Sequence, residues 1–426
     1  MSYPSIKDVI KKVNFRPQDH SQMPQRRYDL DWLRVILFSL LIIHHVGMFY
    51  VLNWGFHAKS QYRYEWLESV LLVVEPWRMP AIWFISGVAI RFILIKVTIL
   101  SFISLRSLRL LLPLAFGIFI VVPPQLYIEM TANGDIVMDF WRFMQAFYDP
   151  QSTLFEQYQA GIWPHIDVNH LWYLRSLWYY SLTLVFLLPA LNSNIIEGLK
   201  SWLASRHGFW TVLCLIVCVF AVQIIWRNDE TRYPIGFLFL MLGYLVGWHT
   251  VFWQKLLTAI RPLCASFIVL CICFLIVYNL YYLDMYKGIE LPHLIEAISL
   301  FTYSALRIVG LFLVLALSHR FLTKKTQKLA YFNEAVYPFY LLHQSIILVA
   351  GYYLTQLSLG AVFESLILLF ITTAMCFLLF ELIKRIELLR PFFGLKMQGS
   401  YPSWSVSLGY IIGGLLISPL IYQLIF

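Results

Sequence analysis

Apolar runs of span length, broken by short polar stretches, recur along the whole chain. A helix that crosses a bilayer needs roughly 20 mostly apolar residues. Eleven stretches meet that requirement: 33–52, 79–96, 110–128, 170–191, 208–226, 233–253, 262–283, 297–318, 334–355, 361–383 and 405–425. The pattern predicts an all-α protein, a polytopic transmembrane bundle of about 10–11 spans. Composition supports the same reading. Of 426 residues, 60% are apolar and 13% charged, against about 25% charged in soluble proteins. A larger soluble core does not explain the difference, because even large domains must cover themselves with polar surface. Soluble enzymes, secreted disulfide scaffolds and disordered chains are thereby excluded.

Charge then orients the bundle. The first 31 residues are polar and carry Lys7, Lys11, Lys12, Arg16, Arg26 and Arg27, too long and polar a stretch for the start of a cleaved signal peptide. They read as a cytoplasmic arm (1–31) ahead of a ten-helix core (32–383), a cytoplasmic loop (384–404) and an extra C-terminal span (405–425). With the N-terminus cytoplasmic, 22 of the 32 Lys and Arg fall on the inner side and seven outside, as the positive-inside rule requires. Arg34, Arg175 and Arg307 remain in or at the edge of spans. The net charge of +9 thus reflects orientation in a lipid bilayer, and no nucleic-acid partner is implied. The six cysteines sit inside apolar stretches with no Cys/His metal spacing, so they are expected as small buried apolar residues, and no metal is expected. One long external loop, 129–169, is acidic and aromatic (Phe140, Trp141, Phe143, Phe147, Tyr148, Phe155, Tyr158, Trp163). It reads either as an interfacial helix with an aromatic belt or as a platform for a polar acceptor.

Ionisable groups inside spans are costly and mark function or a buried pair. The first span carries Arg34, His44 and His45. Arg34 and His45 are eleven residues apart, which at ~100° per residue returns to one helix face within about 20°, ~16 Å along the axis. Snorkelling, or a pair with Asp31, would account for Arg34, and a cross-helix hydrogen bond for His45. The second span holds Arg78, Pro80, placed to start a helix, and Ser86-Gly87, suited to close helix approach. Arg106 and Arg109 form a basic rim before the third span, fit for phosphates or for topology alone. His170-Leu-Trp172-Tyr-Leu-Arg175 opens the fourth span, and Tyr340-Leu-Leu-His343-Gln344 lies in the ninth. Glu75, Asp167 and Glu296 are possible partners for Arg175 and Arg307.

These motifs, in this order, resemble the acyltransferase 3 family of integral membrane acyltransferases, over about residues 27–383. They are Arg34-x10-His45, Phe84-Ile-Ser86-Gly87, Arg106/Arg109, His170-Leu-Trp172 and Tyr340-Leu-Leu-His343. Within the family, residues 77–87, His57 in Trp54-Gly-Phe-His57 and the segment 170–174 look most like the glucans biosynthesis protein C branch, associated with succinylation of periplasmic glucans. The resemblance implies an essential histidine at His45, an essential arginine at Arg34, and cytoplasmic-side arginines at Arg106 and Arg109. His44 departs from the family, where that position is usually apolar or aromatic.

The implied reaction is O-acyl transfer from cytosolic acyl-CoA, most simply succinyl-CoA or acetyl-CoA as co-substrate with no bound cofactor, to a glycan hydroxyl outside a bacterial inner membrane. Such a transfer needs a base, an oxyanion stabiliser and a positioned thioester. Arg34, Arg106 and Arg109 are the candidates for the CoA phosphates, and His45 is general base or acyl-carrying nucleophile. His57, Arg78, Ser86, His170, Trp172, Arg175 and His343 are candidates for the acceptor side or oxyanion site. Two other classes remain open: a transporter or flippase exporting a glycan or acidic metabolite, and a non-catalytic envelope scaffold. No internal repeat supports the transporter reading.

Overall fold

The computed structural model describes residues 26–156, 158, 168–198, 208–226, 229–397 and, beyond these, 402–404, 407, 408, 411, 412, 414, 415, 418 and 422. The helices used below are α1 (Tyr28–Met48), α2 (Trp66–Leu72), α3 (Glu75–Leu94), α4 (Ile99–Phe116), α5 (Pro123–Asn133), α6 (Phe140–Tyr148), α7 (Trp172–Leu191), α8 (Gly208–Ile225), α9 (Arg232–Val246), α10 (Thr250–Thr258), α11 (Ile260–Val277), α12 (His293–Phe321), α13 (Gln327–Thr355) and α14 (Ala361–Arg385). Among the described residues there is no β-strand, only an isolated bridge between Val51 and Tyr64. Among the described residues nine helical segments are long and apolar enough to cross a membrane, so the protein is an all-α, multi-pass membrane bundle. The expected span 405–425 and the arm up to residue 25 lie largely outside the described residues.

One expected span is not straight. Residues 233–253 fold as α9 and α10, bent by 107° at a short break. Alone, the 15 residues of α9 reach only ~22 Å, short of a bilayer core of about 30 Å. The break is stable because its exposed carbonyl is satisfied: the Trp253 indole N–H donates to Gly247 O at 2.8 Å. Hydropathy saw a continuous apolar run and missed a turn whose acceptor is closed by a tryptophan.

The chain divides into two compact units. The first comprises residues up to 34, 72–106 and 179–325. In it α3 packs on α9 and α12, and the expected close approach at Ser86-Gly87 is present. A Cβ on Gly87 would stand 1.9 Å from Leu240 O, and one on Gly243 would stand 2.0 Å from Phe84 O. The two backbones touch, which only glycine allows. Helix α3 begins at Glu75 and carries Pro80 inside it, five residues earlier than the proline suggested. Pro76 takes the early position where a missing N–H costs nothing.

The second unit comprises residues 35–71, 107–178 and 326 onward. Here α13 packs on α14 and α5, around a core that includes Phe49, Ile347, Leu348 and Leu368. Between α4 and α5 a π turn, Gly117–Val121, carries one extra residue, closed by Val122 N–H to Gly117 O at 2.9 Å. Pro123 and Pro124 follow and have no N–H to give, so Phe119 O has no helical donor. Tyr148 supplies one, its hydroxyl donating to Phe119 O at 2.7 Å. Helix α6 is capped by Asp139, whose side chain accepts from Arg142 N–H at 3.0 Å.

Two expectations change here. Phe143, Phe147, Tyr148 and Phe155 are buried in a core with Leu126 and Met130, so four of the loop's seven described aromatics pack inward, while Phe140 and Trp141 are exposed. The platform reading loses those four rings. Of the cysteines, Cys376 alone is buried, while Cys214, Cys218 and Cys273 are exposed. In a bilayer such faces meet lipid, a fit for weakly polar side chains.

Candidate active site

The second unit gathers the four histidines singled out from sequence. His45 lies three residues from the end of α1 (Tyr28–Met48), near the C-terminal end of that helix. Its Nδ1 is 2.8 Å from Nε2 of His343 on α13, and the rings stack with centroids 5.0 Å apart. His343 is fully buried, and its Nδ1 lies 3.0 Å from Phe339 O and 2.9 Å from Tyr340 O.

Those contacts fix the protons. A carbonyl oxygen only accepts, so His343 Nδ1 carries the hydrogen. An imidazolium among backbone carbonyls in the interior would carry the cost of a buried charge, so the resident ring is neutral and its Nε2 holds a lone pair. The hydrogen shared at 2.8 Å therefore belongs to His45 Nδ1, which leaves the lone pair of His45 on Nε2. A basic nitrogen, backed by an N–H whose partner can take more positive charge, is the requirement for proton abstraction or attack on a carbonyl.

His170 is held beside this pair, its ring 5.5 Å from that of His343 and nearly perpendicular. Its Nε2 donates to Leu341 O at 3.1 Å, and its Nδ1 accepts from Gln125 Nε2 at 3.2 Å. Gln125 gives its other N–H to Ser345 Oγ at 2.7 Å, and Ser345 donates to Val121 O at 2.5 Å. Val121 belongs to the π turn, so the irregular backbone before α5 is an acceptor for the site helix. Tyr340 donates its hydroxyl to His170 O at 2.6 Å.

His57 has a different environment. Its Nδ1 is 2.5 Å from Glu129 Oε2 and its Nε2 is 3.2 Å from Asn169 Oδ1. Asn169 Oδ1 also accepts from Gln344 Nε2 at 3.4 Å. Both nitrogens of His57 thus face side-chain oxygens. Asn169 achieves this with φ of 46°, a left-handed conformation that asparagine tolerates better than most residues.

The remaining sequence candidates fall as follows. Trp172 and Arg175 belong to the second unit and are half-buried. Arg109 belongs there too and is exposed, its backbone carbonyl accepting from the Tyr337 hydroxyl at 3.0 Å. Arg34, Arg78, Ser86 and Arg106 fall to the first unit. Asp31 pairs with Arg26 at 2.9 Å, so the expected Asp31 pairing of Arg34 is not made. Arg106 Nε donates to Ser181 Oγ at 3.3 Å. Ser86 donates to Ile82 O at 2.8 Å within its own helix, a packing role. His44 turns toward Trp54, ring centroids 6.4 Å apart. The described residues contain no grouping of three His, Cys, Asp or Glu side chains spaced to hold a metal.

Glu129, Asn169, Gln125, Gln344 and Ser345 were not singled out by sequence reasoning. A signal existed for three of them: Gln125 is a polar residue within an apolar span, and Gln344 and Ser345 adjoin His343.

In this multi-pass helical membrane protein, hydrogen-bonded imidazoles near the C-terminal end of the first span are groups suited to proton or group transfer. Residues 27–381 match the acyltransferase 3 family model, described as an acyltransferase domain. The chain belongs to that family, and is a membrane acyltransferase. No curated protein and no solved structure matches it.

Proposed function

We propose that this acyltransferase moves an acyl group, most simply succinyl, from cytosolic acyl-CoA to a hydroxyl of a periplasmic glucan or related envelope glycan at a bacterial inner membrane. The observation that carries the reading is the His343–His45 contact, which leaves a basic Nε2 on His45. In the proposed step the acceptor hydroxyl gives its proton to His45 Nε2 as its oxygen bonds to the thioester carbonyl carbon. The C–S bond then breaks, and the departing CoA thiolate takes the proton back. The positive charge held on His45 between these events is shared across its Nδ1–H with His343. With the N-terminus cytoplasmic, His45 near the C-terminal end of α1 would lie toward the acceptor's side. Arg34, Arg106 and Arg109 would contact the donor's phosphates from the inner side. His57, fixed by Glu129, together with Arg175 and Trp172, would line the acceptor approach.

The test is mass spectrometry of envelope glycans made with wild-type protein and with His45→Ala at matched membrane abundance. Loss of the acyl mass increment with the variant supports the reading, and the increment identifies the donor. Unchanged acylation rules out His45 as base or nucleophile. A nucleophilic role predicts that labelled acyl can be trapped on His45 in membranes lacking acceptor, whereas a base role predicts that no protein-bound label forms.

A further inference from the structure

The first unit contains a second polar cluster that the proposed reaction does not use. Arg78 on α3 is 5% exposed, yet its Nε and Nη1 have no hydrogen-bond partner. Nearby on α12, Arg307 lays its guanidinium over the Tyr303 ring, 4.4 Å from the centroid, and its Nη1 also lacks a partner. Glu75 lies three residues before Arg78 on α3, on the same helix face. The Glu75 carboxylate takes its hydrogen bond from the Tyr303 hydroxyl.

Charge counting makes this arrangement incomplete. Two guanidiniums, which stay protonated in proteins, stand against one carboxylate, and the phenol adds no charge. The cluster carries one uncompensated positive charge inside a membrane bundle, where an unpaired ion is strongly unfavourable. Three orphaned N–H-bearing nitrogens point to the same deficiency, because buried donors are almost always satisfied. Glu75, Tyr303 and Arg307 remain partly accessible.

We propose that Glu75, Arg78, Tyr303 and Arg307 form an anion-binding site that takes the carboxylate of a small organic acid or of an acyl group bearing one. A carboxylate balances the single excess charge, and its planar pair of oxygens matches the guanidinium fork. A phosphate monoester dianion would overshoot. The inference stands on this unit alone, whatever the acceptor of the proposed reaction.

The test uses the full-length purified protein in lipid nanodiscs, with acetate and succinate as probes in an otherwise carboxylate-free buffer. Both probes are expected to raise Tm saturably, as a ligand of the native state must, and labelled succinate to bind. Arg78→Met should abolish the Tm response and weaken succinate binding at least ten-fold. Without any carboxylate, its Tm should equal or exceed that of wild type, because the remaining charges balance. Should that variant fail to accumulate, Arg307→Gln carries the same expectation. Glu75→Gln removes the competing carboxylate and should tighten binding several-fold. The proposal is overturned if wild type ignores both carboxylates, if Arg78→Met and Arg307→Gln respond as wild type does, or if Glu75→Gln weakens binding. It also falls if Tm rises only when phosphatidylglycerol is added to the nanodisc, which would make the ligand a lipid phosphodiester.

Discussion

The two polar clusters of this protein solve the cost of polar groups in a membrane bundle in opposite ways. In the imidazole cluster both nitrogens of His170 and of His343 have matched partners, as has His45 Nδ1, and the lone pair of His45 Nε2 is the atom held for chemistry. In the guanidinium cluster the carboxylate is satisfied by a phenol while the cations keep orphaned donors. The first is a network whose proton positions are determined in advance of any ligand. The second is complete only with a ligand. Pre-organised donors and acceptors suit a site that must act on a proton, whereas unmatched donors suit a site that must recognise a charge.

That contrast can be broken experimentally, from the largest effect to the smallest. His45→Ala should lower acyl transfer by about 10²–10⁴-fold, the usual worth of a positioned base, with normal protein in the membrane. Activity within a few-fold of wild type would mean that the relay is only structural. His343→Leu leaves His45 Nδ1–H without its acceptor, and a loss of roughly 10–100-fold in kcat is expected, as for groups that orient a catalytic imidazole. His343→Gln, which can still accept from His45, should recover part of that loss. Equal activity in the two variants would sink the tautomer argument. Gly243→Ala forces a methyl against Phe84 O and should cost about 1–3 kcal/mol of stability, read as a lower Tm. It touches neither cluster, so it separates packing from chemistry.

The smallest effect concerns α6. Burial pushes the Tyr148 phenol up to about 12, and its hydroxyl donates to Phe119 O. Unfolded, the same phenol titrates near 10. A folded-state value above the unfolded one means that stability is fully present below about pH 10 and is lost as pH rises toward 12. Tyr148→Phe should cost about 1 kcal/mol near neutrality, the usual worth of one hydrogen bond, and should flatten that alkaline decline. A melting series from pH 8 to 12 on both proteins checks it.

Much of the fold was legible because length and hydropathy alone decide whether a helix can cross a bilayer. The run 233–253 misled because hydropathy is blind to direction: nothing in its composition shows that Trp253 folds back to close the carbonyl of Gly247. The site was legible to a different depth. His45, His57, His170 and His343 announced themselves as expensive side chains in or beside spans. Their partners did not, because pairing is long-range. His45 and His343 are 298 residues apart, and Glu129 read as one more acid in an acidic loop until His57 was found against it. Arg78 was legible as a cation out of place, but its orphaned donors belong to three-dimensional accounting.

Pro123 gives the last consequence. A helix-favouring change such as Pro123→Ala would ordinarily be expected to help a span. Here it would reintroduce an N–H four residues beyond Phe119, a rival for the carbonyl that now holds Tyr148. The same change would draw the π turn toward regular helix and move Val121 O away from Ser345. Phe119 O, left over because proline has no N–H, and Val121 O are the pegs on which α6 and the histidine-bearing helix hang. Improving the local helix would therefore loosen the protein.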